Sequence, residues 1–266
     1  MAGTAHPTAA FFDLDKTIIA KSSALAFSRE FQAGGLISRG TMLRSAYSQF
    51  LYLLGGADHD QMEKMRAFMS QLVEGWDVQT VTEIVADTLH NIVDPLVYRE
   101  AVELIDEHHA AGRDVIIVST SGIEVVGPIG QMLGADHVVA TRLEVDDGKY
   151  TGRIRFYAYA ENKAKAITDL ARKRGYDLAG SYAYSDSATD VPMLEAVGHP
   201  YAVNPDKELR RVARERDWPV LVFERPVALG SRVPLPPAKP TLAAAAVGGV
   251  AALAIGAWWR HRSDRT

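Results

Sequence analysis

The chain has 266 residues, of which 47% are hydrophobic and 23% are charged, and its formal net charge is -4 at pH 7. This length suits one sizeable domain, or a core domain with a smaller insert, and the composition excludes a chain that is disordered throughout. The slightly acidic balance predicts no binding to nucleic acid. The absence of cysteine excludes disulfides, thiol catalysis and cysteine-bound zinc.

The first predicted element is a buried strand at residues 9–14, because a short apolar run is typical of a strand covered on both faces. The second, at residues 115–118, begins about 100 residues later, whereas a βαβ unit needs only roughly 30. The surplus, residues 21–91, is predicted to be an inserted helical cap. Its two apolar stripes at helical spacing are Leu43, Tyr47, Phe50, Leu51 and Leu54, and Met62, Met65, Met69 and Leu72.

After the cap, strands and helices alternate, which indicates βαβ units and a mainly parallel sheet. The remaining predicted strands are residues 138–140, 182–184 and 201–203. The predicted helices, each followed by a glycine, are residues 101–111, 123–133 and 160–174. An Asp-Asp-Gly turn predicts a hairpin over residues 143–152 on one edge of the sheet. The predicted fold class is therefore α/β, a three-layer Rossmann-like parallel sheet with a helical cap.

The C-terminal part has a different composition. Residues 224–240 contain five prolines and are predicted to be an extended linker. Residues 241–259 are nineteen uncharged residues that, at about 1.5 Å each, nearly span a hydrocarbon core of roughly 30 Å, so we predict a transmembrane helix. Because the N-terminus lacks the pattern of a signal peptide, we expect a single-pass membrane anchor with the preceding domain in the cytoplasm. An alanine-rich helix on the surface is the alternative. A small-residue stripe that could pair two such helices in a homodimer is Gly248, Ala252 and Gly256.

Two carboxylates, Asp13 and Asp15, stand where the first predicted strand ends. In open α/β sheets, ligands bind at this carboxyl edge. One carboxylate can attack phosphorus and form an aspartyl-phosphate, and the second can protonate the leaving oxygen and later activate water. Acidic residues after strands are also common in ordinary loops, so this pair by itself is a weak signal.

Phosphate-binding groups are predicted at the ends of the next two strands. Ser119-Thr120-Ser121-Gly122 follows the second strand, where a hydroxyl and free N–H groups at a helix N-terminus suit a phosphate oxygen, although the same residues also serve as ordinary helix caps. Lys163 lies in the first turn of the helix after the third strand, where a cation opposes the helix dipole unless an anion is bound nearby. Lys165 is the competing candidate.

Asp186 and Asp190 follow the fourth predicted strand. Hard oxygen ligands gathered near a phosphate suit Mg²⁺, and the alternative is that Asp190 caps the next helix. Four strand ends thus bring together a nucleophile, a hydroxyl, a lysine and metal-binding carboxylates. This is the positioning and charge neutralisation that phosphoryl transfer requires.

Four segments in this order resemble the four motifs of haloacid-dehalogenase-like hydrolases. They are Phe-Asp-Leu-Asp-Lys-Thr at residues 12–17, Ser-Thr-Ser-Gly at residues 119–122, Lys163, and Asp-Ser-Ala-Thr-Asp at residues 186–190. The cap between the first two motifs, and residues 185–205, resemble the phosphoserine phosphatase branch. The resemblance covers residues 9–223 and implies magnesium-dependent hydrolysis of a small phosphomonoester, with the core at residues 9–20 and 92–223.

The resemblance also implies a role for each matching residue. Asp13 becomes the nucleophile and a Mg²⁺ ligand, Asp15 the general acid/base that reaches the metal through its backbone carbonyl, and Asp186 a further ligand. The phosphate-binding residues are Ser119, Thr120 and Lys163. The supporting residues are Thr17, Thr189 and Asp190.

The sequence departs from the family pattern at three places. Ser185 stands where the family usually has glycine, and Thr189 stands where phosphoserine phosphatases commonly have asparagine. Residues 20–22, Ala-Lys-Ser, offer no match to the acidic substrate-binding residue of that branch. Phosphoserine, a lysophospholipid or glycerophospholipid phosphate, and a sugar or histidinol phosphate are therefore all open as substrates.

Two other classes of protein fit part of the pattern. A phospho-accepting receiver domain is much shorter and has no helical insert after its first strand. A catalytically inactive membrane scaffold with the same fold would not need the complete set of motif residues that is present here. His108 and His109, on the helix after the cap, are predicted to lie on the surface.

Overall fold

The structure is a computed structural model that describes residues 6–37, residue 67 and residues 70–224. Both apolar stripes of the predicted cap contain residues outside these ranges, and the predicted linker (but for Glu224), transmembrane helix and small-residue stripe lie wholly outside them. Within the described ranges, no helix has the length and apolar character needed to cross a membrane.

The described strands form one seven-stranded sheet in the order β4-β3-β2-β1-β5-β6-β7. Neighbouring strands are parallel except for β3 and β4, which form an antiparallel hairpin at one edge. The strands are β1 (Ala9–Phe12), β2 (Asp114–Gly122), β3 (His137–Asp146), β4 (Lys149–Phe156), β5 (Tyr182–Ser185), β6 (His199–Val203) and β7 (Val220–Leu221).

Both faces of the sheet are covered, as the continuous apolar runs predict. Phe11 and Phe12 of the central strand are fully buried in two different hydrophobic clusters, because successive side chains of a strand point to opposite faces. Ile167 of the helix after β4 packs on the Phe11 side, and Ile105 and Ile129 lie on the Phe12 side. The sheet is therefore the middle layer of a three-layer α/β fold.

The described helices are α1 (Ser23–Ala26), α2 (Ser28–Ala33), α3 (Val78–Val93), α4 (Arg99–Ala110), α5 (Ile123–Met132), α6 (Glu161–Arg174), α7 (Val191–Glu195) and α8 (Lys207–Glu215). Two 3-10 helices, Asp94–Leu96 and Ala188–Asp190, precede α4 and α7. Asp77 caps the N-terminus of α3, and its carboxylate accepts the Thr80 N–H at 2.7 Å. Gly175 follows the last residue of α6, and its φ of 77° is the left-handed conformation that glycine adopts without steric cost.

The five predicted strands and the three predicted helices after the cap are present, with bounds that differ by a few residues. The largest differences are in β2 and β3. Strand β2 continues to Gly122 because the backbone after Ser119 pairs again with β3 beyond a register shift, and β3 continues into the hairpin. Strand β7 and helix α8 were not predicted. Helices α1, α2 and α3 fall in the predicted cap, whose boundaries stay a prediction.

The prediction of a surface position is wrong for His108, which is only 2% exposed. It packs edge-on against Phe12 of β1, with 5.8 Å between ring centroids. Its Nδ1 accepts the Arg113 Nε–H at 2.7 Å, so the proton lies on Nε2, which donates to the Tyr184 hydroxyl at 2.8 Å. Burial, with Arg113 nearby, lowers the pKa of His108 to about 4, so this histidine is a neutral part of the core.

Candidate active site

The carboxyl ends of β1, β2 and β5 lie side by side because these strands are parallel neighbours. Asp13 is the first residue after β1, and its N–H donates to the Tyr184 carbonyl of β5 at 2.9 Å. The chain therefore keeps the sheet pairing for one residue beyond the strand. This fixes the Asp13 backbone, and the residue as a whole is only 6% exposed.

Lys163 is the cation that the structure brings to Asp13. It is the third residue of α6, which begins after a turn at Ala160 with φ 48°. The Lys163 Nζ donates to Asp13 Oδ1 at 2.6 Å and to Asp190 Oδ2 at 2.8 Å, and the side chain is almost completely buried. Lys165, by contrast, is exposed. Residues two apart on a helix point roughly 200° apart, so only one of the two lysines can face the sheet.

The charges of Asp13 and Lys163 depend on each other. Burial disfavours the ammonium of Lys163, but Asp13 and Asp190 outweigh this effect and raise its pKa, so the lysine stays charged. Burial raises the pKa of Asp13 well above its usual value, and Lys163 is the group that opposes this rise. The lysine therefore favours the ionised form of Asp13, which is the form that can act as a nucleophile.

Asp190 bridges α6 and the end of β5. Its Oδ2 accepts from Lys163 and also from the Ser185 hydroxyl at 2.7 Å, so the serine that departs from the family pattern has a defined partner. The Asp190 side chain makes no capping hydrogen bond to α7. Its second oxygen, Oδ1, is buried and has no hydrogen-bond partner among the described residues. Simple helix capping therefore does not explain this aspartate.

Asp186 and Asp206 form a second group of carboxylates next to Asp190. Burial raises the pKa of Asp186 to about 7. The positive charge of Lys16 opposes this rise, whereas the negative charges of Asp190 and Asp206 add to it. The Asp206 N–H donates to the Asp186 carbonyl at 2.8 Å, and Asp206 Oδ2 accepts the Ala188 N–H at 3.1 Å. Sequence reasoning missed Asp206, although an aspartate just before a helix is a capping signal. In the structure, its Oδ1 accepts the Leu209 N–H.

Asp15 is held by two serines. Its Oδ1 accepts the backbone N–H of Ser23 at 2.8 Å, and its Oδ2 accepts the Ser121 hydroxyl at 3.1 Å. The Ser23 hydroxyl in turn donates to the Ser121 oxygen at 2.9 Å. Burial raises the pKa of Asp15, and these hydrogen bonds oppose the rise. Sequence reasoning missed both serines as partners of Asp15. Ser121 lies inside a quoted motif, whereas no local pattern singles out Ser23.

The other predicted site residues lie around this centre. The Ser119 hydroxyl is buried and accepts the Ser121 N–H at 3.2 Å. The Thr120 hydroxyl donates to the Ala158 carbonyl at 2.9 Å, which joins the end of β2 to the loop before α6. Thr17 is fully buried, and its hydroxyl has no hydrogen-bond partner in the described part of the chain. The Thr189 hydroxyl lies 3.1 Å from that of Ser187.

The donor set fits a divalent cation that prefers oxygen. Four carboxylates, those of Asp13, Asp15, Asp186 and Asp190, lie around Lys163, the one buried cation that the described residues place there. Asp190 Oδ1 has no hydrogen-bond partner among the described residues, and burial raises the pKa of Asp186, so the described protein groups do not fully stabilise the ionised form of Asp186. Within the described ranges, no three His, Cys, Asp or Glu side chains form a metal cluster. The predicted set needs only two side chains and one backbone carbonyl.

Residues 10–195 match the haloacid dehalogenase-like hydrolase family, and the chain belongs to this family. The match includes every predicted site residue. The family is one of hydrolases, and two of the relatives described below are named phosphatases. The chain is therefore an enzyme of the phosphatase type.

Three relatives are similar over nearly the whole chain. An inhibition of morphological differentiation protein of Streptomyces azureus is 62% identical over 96% of this chain and 94% of its own length. A probable phosphatase of Mycobacterium tuberculosis is 59% identical over 94% of this chain and 87% of its own length. A phosphoserine phosphatase of the same organism is 34% identical over 92% of this chain and 80% of its own length. A crystal structure of a Bordetella pertussis protein with unknown function matches at a TM-score of 0.72 and 30% identity, covering 81% of this chain and 98% of that one.

Proposed function

We propose that the chain is a magnesium-dependent phosphomonoester hydrolase that forms an aspartyl-phosphate on Asp13. The observation that supports this most directly is the contact of a buried lysine with two buried carboxylates at the ends of β1 and β5, at 2.6 and 2.8 Å. In such an arrangement the lysine favours the ionised form of the carboxylate and fixes it in a site where water is largely excluded. Those are the conditions for a carboxylate nucleophile.

In this proposal, Asp13 attacks phosphorus and the bond to the substrate alcohol breaks. Asp15 gives its proton to the departing oxygen, and as a carboxylate it then takes a proton from the water that attacks the aspartyl-phosphate. The second attack releases inorganic phosphate and restores Asp13. The phosphoryl oxygens are held by the Ser119 hydroxyl, by the backbone N–H of Thr120 and by the Lys163 ammonium. The Thr120 hydroxyl does not take part, since it is engaged with Ala158.

Mg²⁺ would be held by the carboxylates of Asp13 and Asp186 and by the backbone carbonyl of Asp15. When bound, it neutralises the phosphate charge and polarises a phosphoryl oxygen. Asp190 supports the site by holding Lys163. Thr189 supports the loop after β5 through its contact with Ser187, and Thr17 supports the loop after β1 by its buried position. Asp206 holds the backbone at Asp186 and at Ala188.

The substrate class is a small phosphomonoester. Phosphoserine is a candidate because one relative is named a phosphoserine phosphatase. Lipid-linked phosphates and other small phosphometabolites are the alternatives, because the acidic substrate-binding residue of the phosphoserine branch has no counterpart at residues 20–22. An inactive scaffold is the remaining alternative, and turnover distinguishes it from an enzyme.

Phosphate release tests the proposal. The purified full chain is assayed with p-nitrophenyl phosphate and then with phosphoserine, a lysophospholipid phosphate, a sugar phosphate and histidinol phosphate. We expect hydrolysis that stops when EDTA removes Mg²⁺ and returns when Mg²⁺ is added back. A folded protein that releases no phosphate from any of these compounds in the presence of Mg²⁺ would support the scaffold instead.

We also propose that residues 241–259 anchor the enzyme to a membrane. The support is their uncharged composition and the aromatic pair Trp258-Trp259 followed by arginines, which suits a membrane interface. Membrane fractionation tests this. We expect the full chain to need detergent for extraction and a chain that ends at Phe223 to be released. Extraction of the full chain by alkaline carbonate would contradict a spanning helix.

A further inference from the structure

Asp15 is held in a hydrogen-bonded ring with Ser121 and Ser23, which come from distant parts of the chain. Ser121 lies at the end of β2, 106 residues from Asp15, and Ser23 is the first residue of α1. The Ser23 hydroxyl is fully buried. The two contacts to Asp15 reach different carboxylate oxygens, so the carboxylate cannot rotate without losing one of them.

The direction of each hydrogen bond follows from the number of protons available. The Ser23 N–H can only donate, and it does so to Asp15 Oδ1. The single hydroxyl proton of Ser121 is donated to Asp15 Oδ2, so the Ser121 oxygen is free to accept the proton of Ser23. Ser23 thus fixes the orientation of the Ser121 hydroxyl, and Ser121 fixes the orientation of the Asp15 carboxylate.

We propose that Ser121 is a positioning residue for the general acid/base Asp15, and that Ser23 orients Ser121. This inference rests on the proposed function, in which Asp15 transfers a proton to the departing oxygen. General acid catalysis depends on geometry, because the proton donor must lie within hydrogen-bond reach of the oxygen that it protonates. Loss of the Ser121 hydroxyl frees one side of the carboxylate and reduces the time that it spends in that position.

The test compares two leaving groups in Ser121→Ala. An alkyl phosphate releases a strongly basic alkoxide and needs the proton of Asp15, whereas p-nitrophenyl phosphate releases a weakly basic phenolate and needs little help. Because kcat/KM covers substrate binding and the steps up to departure of the alcohol, it includes the protonation step but not the later attack of water. We expect kcat/KM to fall about tenfold for the alkyl phosphate, which is only part of the roughly 10²–10⁴-fold contribution of general acid catalysis, because Asp15 itself remains. The p-nitrophenyl value should fall much less.

Three further variants separate positioning from a structural effect. Ser121→Thr keeps a hydroxyl and should restore the wild-type ratio of the two kcat/KM values. Ser23→Ala keeps the backbone donor to Asp15 and should change the ratio in the same direction as Ser121→Ala, but less. Ser181→Ala removes another buried serine hydroxyl, one that accepts the Ala9 N–H at the opposite end of the sheet. It should lower the unfolding temperature without changing the ratio.

An unchanged ratio in a folded and active Ser121→Ala would overturn the positioning role and leave the proposed function intact. The same holds if Ser181→Ala changes the ratio as much as Ser121→Ala does. If Ser121→Ala does not fold, Ser23→Ala decides the question, and an unchanged ratio there overturns the inference. A wild-type enzyme that hydrolyses neither phosphate would overturn both the proposed function and this inference.

Discussion

Replacing Lys163 with methionine removes one positive charge from the centre of the site and keeps most of the side-chain volume. In the structure, the ammonium contacts Asp13 and Asp190, and all three side chains are almost completely buried. Methionine leaves two buried carboxylates without their cation. The variant therefore tests how much this buried contact contributes to the stability of the fold and to phosphate release.

The expected loss of stability follows from that burial. Removing one partner of a buried ion pair typically costs about 3–5 kcal/mol, because the remaining charge is left in a poorly solvated place. In a domain of this size, each kcal/mol lowers the unfolding temperature by about 2–4 °C. We therefore expect Lys163→Met to unfold roughly 6–20 °C below the wild type. The loss should be larger at pH 8 than at pH 5. Carboxyl groups with a raised folded-state pKa bind protons more tightly in the folded state, so the stability that they provide falls as the pH rises.

Thermal unfolding in EDTA measures this loss, and phosphate release measures the effect on the reaction. Lys165→Met is the matched control, and as an exposed position it should change stability by no more than about 0.5 kcal/mol. Adding Asp190→Asn to Lys163→Met should restore part of the lost stability, because one unpaired charge is removed. Activity should fall by about 10²–10³-fold in Lys163→Met, as for loss of one charge-stabilising group. If Lys163→Met unfolds at the wild-type temperature, or if Lys165→Met is the less active variant, the reasoning is wrong.

Three other outcomes are expected. Asp13→Asn should abolish phosphate release in a protein that still unfolds cooperatively, and near wild-type turnover would exclude Asp13 as the nucleophile. Mg²⁺ should raise the unfolding temperature more at pH 8 than at pH 6, because Asp186, with a pKa of about 7 in the metal-free protein, ionises between these pH values. An equal rise at both pH values would argue against Asp186 as a ligand. Asp206→Ala should weaken Mg²⁺ binding about tenfold, and Asp206→Asn should have an intermediate effect, as measured by the unfolding temperature at increasing Mg²⁺ concentration. Unchanged affinity would show that Asp206 only caps α8.

The strands, their mainly parallel pairing and the candidate site residues could be predicted from the sequence because all three depend on local patterns. Short apolar runs separated by amphipathic segments predict a parallel sheet that is covered on both faces, and parallel strands place their carboxyl ends along one edge. Polar residues that follow such runs must therefore meet. This is why Asp13, Ser119 and Asp186 could be assigned to one edge of the sheet from the sequence, although the sequence left Lys165 as a competitor of Lys163.

Only the tertiary structure decided which side chains meet across the sheet. His108 looks like a surface residue on a polar helix, yet α4 turns it into the core against Phe12 and Tyr184. The contact between Ser23 and Ser121 joins residues 98 positions apart, and the contact between Lys163 and Asp13 joins residues 150 apart. Local periodicity shows which face of an element is apolar, but not which polar atoms of two distant elements lie within hydrogen-bond distance. That choice depends on how α1, α4 and α6 pack on the sheet.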